Sequence, residues 1–112
     1  MNALTIDVGG TRVKFLAVGQ EEKREIPSGK YLTPRDMVAG VRGRTADWDY
    51  EAVSIGYPGL VGRDGPAAET ESLGAGWVGF DFAAAFGHPV KIINDAAMQA
   101  LGSYERRFSW RG

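Results

Sequence analysis

The stretch IDVGGTRVKFLAVG, Ile6 to Gly19, decides how the rest of the chain is read. Two apolar arms rich in β-branched residues, Leu4 to Val8 and Val13 to Val18, flank Gly9 and Gly10, a pattern that predicts two strands joined by a turn. A hairpin needs only a turn residue or two, yet this one carries a carboxylate (Asp7), a hydroxyl (Thr11) and an ammonium group (Lys14). Lacking a Cβ, Gly9 and Gly10 can take left-handed dihedrals and bring backbone N–H groups close to an anion. Thr11 adds a hydroxyl donor and Lys14 a positive charge, so the turn suits phosphate oxygens. Asp7 would repel a bare phosphate and makes chemical sense there as a partner for Mg²⁺, directly or through water. The same spacing also fits a tight hairpin with an incidental aspartate, because short glycine-rich motifs are common.

Outward from this stretch, elements alternate. A charged segment around Glu22 to Ile26 reads as a third, edge strand. LTPRDMVAGV then announces a helix: Thr33 as cap, Pro34 at the first helical position, Asp36 in the first turn, and Met37, Val38 and Val41 as the apolar stripe. Gly40 and Gly43 weaken that helix. EAVSIGYPG gives a buried strand, Ala52 to Ile55, followed by a glycine-rich loop to about Gly79. A short helix over Phe80 to Phe86 is closed by Gly87 and Pro89. PVKII is a further buried strand running into NDAAMQALGSY, where Asn94 or Asp95 caps a helix with Ala97, Met98 and Leu101 on its inner face. Strands alternating with helices after an opening hairpin indicate an α/β fold with a mixed sheet. In open sheets of this kind ligands bind beyond the carboxyl ends of the strands, where Asp7 to Thr11, Gly56 to Gly59, and Asn94 with Asp95 all fall.

Composition narrows the function classes. The 112 residues suffice for one domain with a modest core, and 44% hydrophobic residues is ordinary for a globular protein. No apolar run approaches the length that spans a bilayer, and the N-terminus has no basic-then-apolar signal pattern. Without cysteine there is neither a disulfide nor a thiolate metal site, which suits a cytoplasmic location. Thirteen basic against fourteen acidic residues leave a net charge of −1, so no electrostatic footprint points to nucleic acid. Arg42 with Arg44, and Arg106 with Arg107, read as solvated faces.

IDVGGTRVKFLAVG resembles the first phosphate motif of sugar kinases with the ribonuclease H-like (actin-like ATPase) fold. VSIGYPGLV, ESLGAGWVGFD and VKIINDAAMQALGSYE, in that order, resemble the ROK family and within it the polyphosphate-using glucokinases, over roughly Leu4 to Tyr104. The resemblance implies a single lobe with a mixed sheet flanked by helices, spanning residues 1–112, and no second lobe. It implies a transferase in carbohydrate metabolism, with ATP or polyphosphate as phosphoryl donor, Mg²⁺ as cofactor, and glucose or a related small-molecule sugar as acceptor. Asp95 matches the catalytic base that takes the proton from the sugar hydroxyl. Asn94 matches a sugar-binding amide, Pro58 and Gly59 the turn lining the sugar pocket, and Asp7, Gly9, Gly10, Thr11 and Lys14 the phosphate and Mg²⁺ end, with Asp7 at the metal. On local sequence alone, Asn94-Asp95 is equally an ordinary helix cap.

Departures accompany the resemblance. Ser72 stands five residues before Trp77, where the family usually has a sugar-contacting asparagine; the shorter hydroxyl would bind through water. Trp77 reads as packing and His88, between Gly87 and Pro89, as a surface residue. Family members are over twice this length, and ERRFSWRG after Tyr104 lacks the strand leading to a Gly-Thr-Gly turn. The expectation is a kinase lobe without its mate, from a frameshift or a truncated gene, inactive alone. Apolar surface near Ala97, Met98, Leu101, Phe80 and Phe82 would then favour a homo-oligomer. The second expectation is a non-catalytic module that folds and self-associates.

Overall fold

The computed structural model describes residues 2–100. Seven strands and three helices follow in order: β1 (Ala3–Val8), β2 (Arg12–Ala17), β3 (Arg24–Pro27), α1 (Pro34–Gly43), β4 (Ala52–Tyr57), β5 (Val61–Gly62), β6 (Gly65–Pro66), α2 (Phe82–Phe86), β7 (Val90–Asn94) and α3 (Asp95–Ala100). Five strands form a mixed sheet in the order β3-β2-β1-β4-β7, flanked by helices. β1, β2 and β3 pair antiparallel, as short hairpin connections require. β4 and β7 run parallel to β1, with α1 and α2 lying in the crossovers.

Side chains alternate along a strand, so each strand contributes every second residue to a face. Leu4, Ile6 and Val8 of β1, Val13, Phe15 and Ala17 of β2, and Val53, Ile55 and Tyr57 of β4 form the core face. Met37, Val38 and Val41 of α1 and Phe82 and Phe86 of α2 pack onto it. The expected stripe of α1 is therefore the buried one. Burying each such side chain contributes about 1.5–3 kcal/mol. α3 lies on the opposite face, where Met98 packs over Gly56.

Several boundaries differ from the sequence expectations. The third strand lies at Arg24–Pro27 rather than Glu22 to Ile26, because pairing with β2 begins only at Arg24 opposite Phe15. The expected loop before Gly79 contains the β5–β6 hairpin, whose two-residue arms are too short to leave a periodic signal. α2 starts at Phe82 because Asp81 caps it, its carboxylate accepting from the Ala84 N–H at 3.0 Å. Gly87 ends it in the left-handed region, φ 72°. Thr33 caps α1 as expected, accepting from the Asp36 N–H at 3.2 Å. Phe82 is buried, not water-facing, because it stacks between Trp77 and Phe80. Ala97 is exposed, since Met98 takes the position facing the sheet; Leu101, Arg106 and Arg107 lie outside the described residues. His88 is half-buried, its ring 5.2 Å from that of Tyr50, rather than a surface residue.

Two glycines of the fold answer differently to a side chain. A Cβ on Gly74 would meet the backbone of Tyr31 and Leu32 at 2.8 Å, and backbone there cannot give way. A Cβ on Gly43 would meet nothing within 4 Å. Gly74→Ala should cost about 1–3 kcal/mol by overpacking, while Gly43→Ala should stabilise by about 0.4–1 kcal/mol. Urea unfolding of both variants checks the opposite signs.

The edge strand is held by a second device. Arg24 on β3 donates to both Asp47 carboxylate oxygens, at 2.7 and 2.9 Å, and its guanidinium lies 4.1 Å from the centre of the Trp48 ring. The hydrogen bonds from Arg24 pull the Asp47 carboxyl down to about 2. A depressed carboxylate pKa means stability that is fully present above the unfolded value, about 3.9, and lost as pH falls through the folded value. The stability difference between the native chain and Asp47→Asn should therefore hold at pH 6 and fall steeply as pH approaches 2 in denaturant titrations.

Candidate functional site

The site is built on one cross-strand row. Glu25 of β3, Lys14 of β2, Asp7 of β1, Gly56 of β4 and Ile93 of β7 are register partners in sequence. All point away from the main core, by the alternation that sends Ile6 and Ile55 into it. Lys14 thus stands between two carboxylates, Asp7 and Glu25. Gly56, the next position, has no side chain, and a Cβ there would lie 3.5 Å from the Asp95 Cβ and 2.9 Å from Met98 Sδ. The gap lets α3 settle on the sheet and carry Asp95 up to Asp7.

Electrostatics report this approach. Burial first, then the Asp95 charge, push the Asp7 carboxyl up from its ordinary value, and Lys14 pulls it back. Burial likewise raises Asp95, opposed by hydrogen bonds from the Ala96 N–H and its own. Two carboxylates held where neither is fully solvated are suited to proton acceptance or to sharing a cation. Among the described residues no three His, Asp or Glu side chains group together as a metal cage.

Beside Asp7 the turn opens into a cleft of about 440 Å³ lined by Asp7, Gly9, Gly10, Thr11, Arg12, Lys14 and Glu25. The structure brings together there every residue expected at the phosphate end, but not for the expected reason. Neither Gly9 nor Gly10 is at positive φ. Their glycines answer to close approach: a Cβ on Gly9 would lie 2.9 Å from the Arg12 carbonyl oxygen, and one on Gly10 3.2 Å from Ser72 Cβ. The Gly9 N–H is spent inside the turn on the Arg12 carbonyl, at 3.0 Å. Among the described residues the Gly10 and Thr11 N–H groups have no protein acceptor. Arg12 meets Glu25 at 3.4 Å, both about half exposed, an ion pair of small energetic worth.

The second half of the site surrounds Asn94. Its Nδ2 donates to the Gly59 carbonyl at 2.7 Å, and its Oδ1 accepts from the N–H groups of Ala96 at 2.9 Å and Ala97 at 3.3 Å. Asn94 therefore both caps α3 and ties the Pro58–Gly59 turn to Asp95. A Cβ on Gly59 would lie 2.7 Å from Thr70 Cγ2. Ser72 is exposed, with its Oγ 2.9 Å from Thr70 Oγ1. Trp77 is fully buried against Tyr57 and Phe82, which makes it packing.

Three supporting residues escaped the sequence. Ser28 donates through Oγ to the Gly9 carbonyl at 2.7 Å and through its N–H to the Thr11 carbonyl at 2.8 Å, stapling the turn from outside. Glu69 accepts from the Trp77 and Val78 N–H groups, at 3.1 and 2.8 Å. Thr70 links Gly59 to Ser72. Only the PSG turn signal around Ser28 marks any of them locally.

No family model and no curated protein matches the chain. Solved structures do. A ROK family protein from Streptococcus pneumoniae TIGR4, in complex with sucrose, superposes with a TM-score of 0.72 at 26% identity, over 92% of this chain and 37% of that one. A ROK hexokinase from Thermus thermophilus gives 0.69 at 24% identity, over 94% and 39%. A ROK family glucokinase from Streptomyces griseus, in complex with glucose and AMPPNP, gives 0.63 at 22% identity, over 100% and 38%. The chain thus spans less than two fifths of the length of these neighbours. Over that portion it has the actin-like ATPase fold of the ROK family sugar kinases, and it is this family that it resembles.

Proposed function

We propose that the chain is the N-terminal lobe of a cytoplasmic ROK-type sugar kinase. In the full-length protein it would transfer a terminal phosphoryl group from ATP or polyphosphate to glucose or a related hexose. The observation that carries this reading is the meeting of Asp7 and Asp95 across Gly56, beside a turn whose Gly10 and Thr11 N–H groups have no protein acceptor among the described residues. The sugar and nucleotide analogue bound by the Streptomyces griseus glucokinase support hexose and ATP as the substrates.

Asp95 accepts the proton of the attacking sugar hydroxyl while the sugar oxygen bonds to the terminal phosphorus; the bond from phosphorus to the donor's bridging oxygen breaks, and its electrons leave with the donor. Burial raises the proton affinity of Asp95, which favours that role. Asn94 has one N–H on Gly59 and its oxygen on α3, so it positions the Pro58–Gly59 turn and keeps one N–H for a sugar hydroxyl. Gly10, Thr11 and Lys14 hold donor phosphate oxygens. Asp7 fits Mg²⁺, a cation bound through one or two carboxylates, waters and substrate phosphates. A cation there would relieve the Asp7–Asp95 repulsion and offset the charge on the phosphate oxygens.

The chain alone, with less than two fifths of its neighbours' length, would lack the wall that closes on the substrates. Purified chain should phosphorylate glucose no faster than background with ATP or polyphosphate. Turnover that Asp95→Asn abolishes would show the short chain to be complete. In the full-length protein Asp95→Asn should lower kcat about 10²–10⁴-fold.

The turn's donors are local and should bind anions weakly without a second lobe. In an NMR titration with pyrophosphate the Gly10 and Thr11 amides should move at millimolar ligand, and more with Mg²⁺. Asp7→Asn should strengthen binding of the bare anion and remove the Mg²⁺ dependence. Unmoved amides in a folded chain would mean a turn and nothing more.

A further inference from the structure

We propose that Arg12 is a specificity residue of the cleft: it grips the second of two linked phosphoryl groups, and Glu25 is the resident carboxylate it releases when such a chain enters. The proposal rests on the sugar-kinase reading of the cleft and names what that site selects. Both residues line the cleft beside the glycine turn, together with Gly10, Thr11 and Lys14. Arg12 follows Thr11 directly and opens β2. Lys14 lies two residues on, which puts the two cations on one face of the strand about 6.6 Å apart. A phosphate seated on the Gly10 and Thr11 N–H groups has few oxygens left to serve both cations, whereas a linked second group brings more.

Two arginine–carboxylate pairs involve β3, and they are built differently. Arg24 donates to both Asp47 oxygens, at 2.7 and 2.9 Å, and to the Arg44 carbonyl at 2.6 Å, with its guanidinium against Trp48. That pair is closed. Arg12 meets one oxygen of Glu25 through Nε alone, at 3.4 Å, which is longer than a formed hydrogen bond. Among the described residues its terminal nitrogens have no protein acceptor. The planar fork that suits phosphate oxygens is therefore left for a ligand. With side chains 53% and 42% exposed, the Arg12–Glu25 pair is worth little and exchanges at small cost.

Glu25 and the entering anion compete for one cation. A phosphoryl group offers the guanidinium two oxygens where Glu25 offers one, and the bidentate pair is the stronger. Glu25 is not left alone by the exchange. Its register partner on β2 is Lys14, and side chains directly opposite across two strands have Cβ atoms about 4.5–5.5 Å apart. The carboxylate thus passes from one cation to the next with no movement of the backbone. A single phosphate, already engaged by the turn, has less to offer Arg12 and leaves the pair closed. Glu25 is in this way a threshold that a linked phosphoryl chain crosses and a lone phosphate does not.

The test is an NMR titration of the labelled chain with Mg²⁺ present, following Gly10 and Thr11 against orthophosphate, pyrophosphate, tripolyphosphate and ATP. Arg12→Gln should weaken pyrophosphate about tenfold and orthophosphate at most about twofold. Arg12→Lys, which keeps the charge and loses the planar fork, should also weaken pyrophosphate more than orthophosphate. Glu25→Gln should tighten pyrophosphate about threefold in the native chain and change nothing in the Arg12→Gln background. A carboxylate that merely repelled the anion would act in both backgrounds. Tripolyphosphate and ATP should both weaken with Arg12→Gln, and the tighter of the two in the native chain tells an inorganic from a nucleotide source. Native-like amide dispersion in each variant certifies the fold. Equal weakening of orthophosphate and pyrophosphate by Arg12→Gln, or a Glu25→Gln effect that persists without Arg12, overturns the proposal and leaves the anion site standing. Native amides unmoved by pyrophosphate overturn the kinase reading of the turn, and the proposal with it.

Discussion

The register of β1 against β4 and β7 is the constraint from which the site follows. Leu4 faces Val53 and Ile6 faces Ile55 in the core, and this alone sends Asp7 and Gly56 to the other face. A slip of one residue would exchange the two sets, because the side-chain period of a strand is two. Exposing Leu4, Ile6 and Val8 together would cost about 5–9 kcal/mol at the usual value per side chain. That is on the order of the whole stability of a small domain, about 5–15 kcal/mol. Three apolar residues that touch no ligand therefore fix where the carboxylate stands.

The same register carries a cost. Asp7 and Asp95 raise each other's free energy when both are ionised, and the fold makes them neighbours by leaving Gly56 bare between them. Lys14 on one side and the N–H groups at the start of α3 on the other offset part of that repulsion. Natural chains keep such locally unfavourable pairs where function needs them, and make up the loss elsewhere. Here the core on the opposite face of the sheet supplies it.

How much of this was legible in the sequence follows from the range of each interaction. The strands of the main sheet and α1 were readable because β-branched runs, Thr33, Pro34 and Asp36 act within a few residues. The five-strand order and the meeting of Asp7 with Asp95 were not read from the sequence, since those residues are far apart in the chain; the family resemblance implied only a mixed sheet and a role for each aspartate. The β5–β6 hairpin has arms too short for periodicity to register. The glycines at the turn were identified correctly as necessary but for the wrong cause: the sequence suggests dihedral freedom, and only the fold shows Ser72 and the Arg12 carbonyl pressing against them. Ser28, Glu69 and Thr70 act across loops and had no periodic pattern to announce them.

What the cleft can recognise follows from its charge. Arg12 and Lys14 balance Asp7 and Glu25, so the formal charges lining it cancel. A ligand therefore gains little from long-range attraction, which salt screens beyond about 10 Å in any case. On the proposed reading selection would fall to short, directional donors: the Gly10 and Thr11 N–H groups and the Thr11 hydroxyl. Such donors reward an oxygen-rich group of the right shape over a simple anion of the same charge. With Asp7 at the mouth of the turn, the proposed site would favour an anion that brings a cation over one that comes bare, because the cation would turn the nearest repulsion into attraction. In the proposed kinase reading the row from Glu25 to Gly56 would discriminate by ligand geometry and by counterion, and both would depend on the single register that keeps Asp7 out of the core.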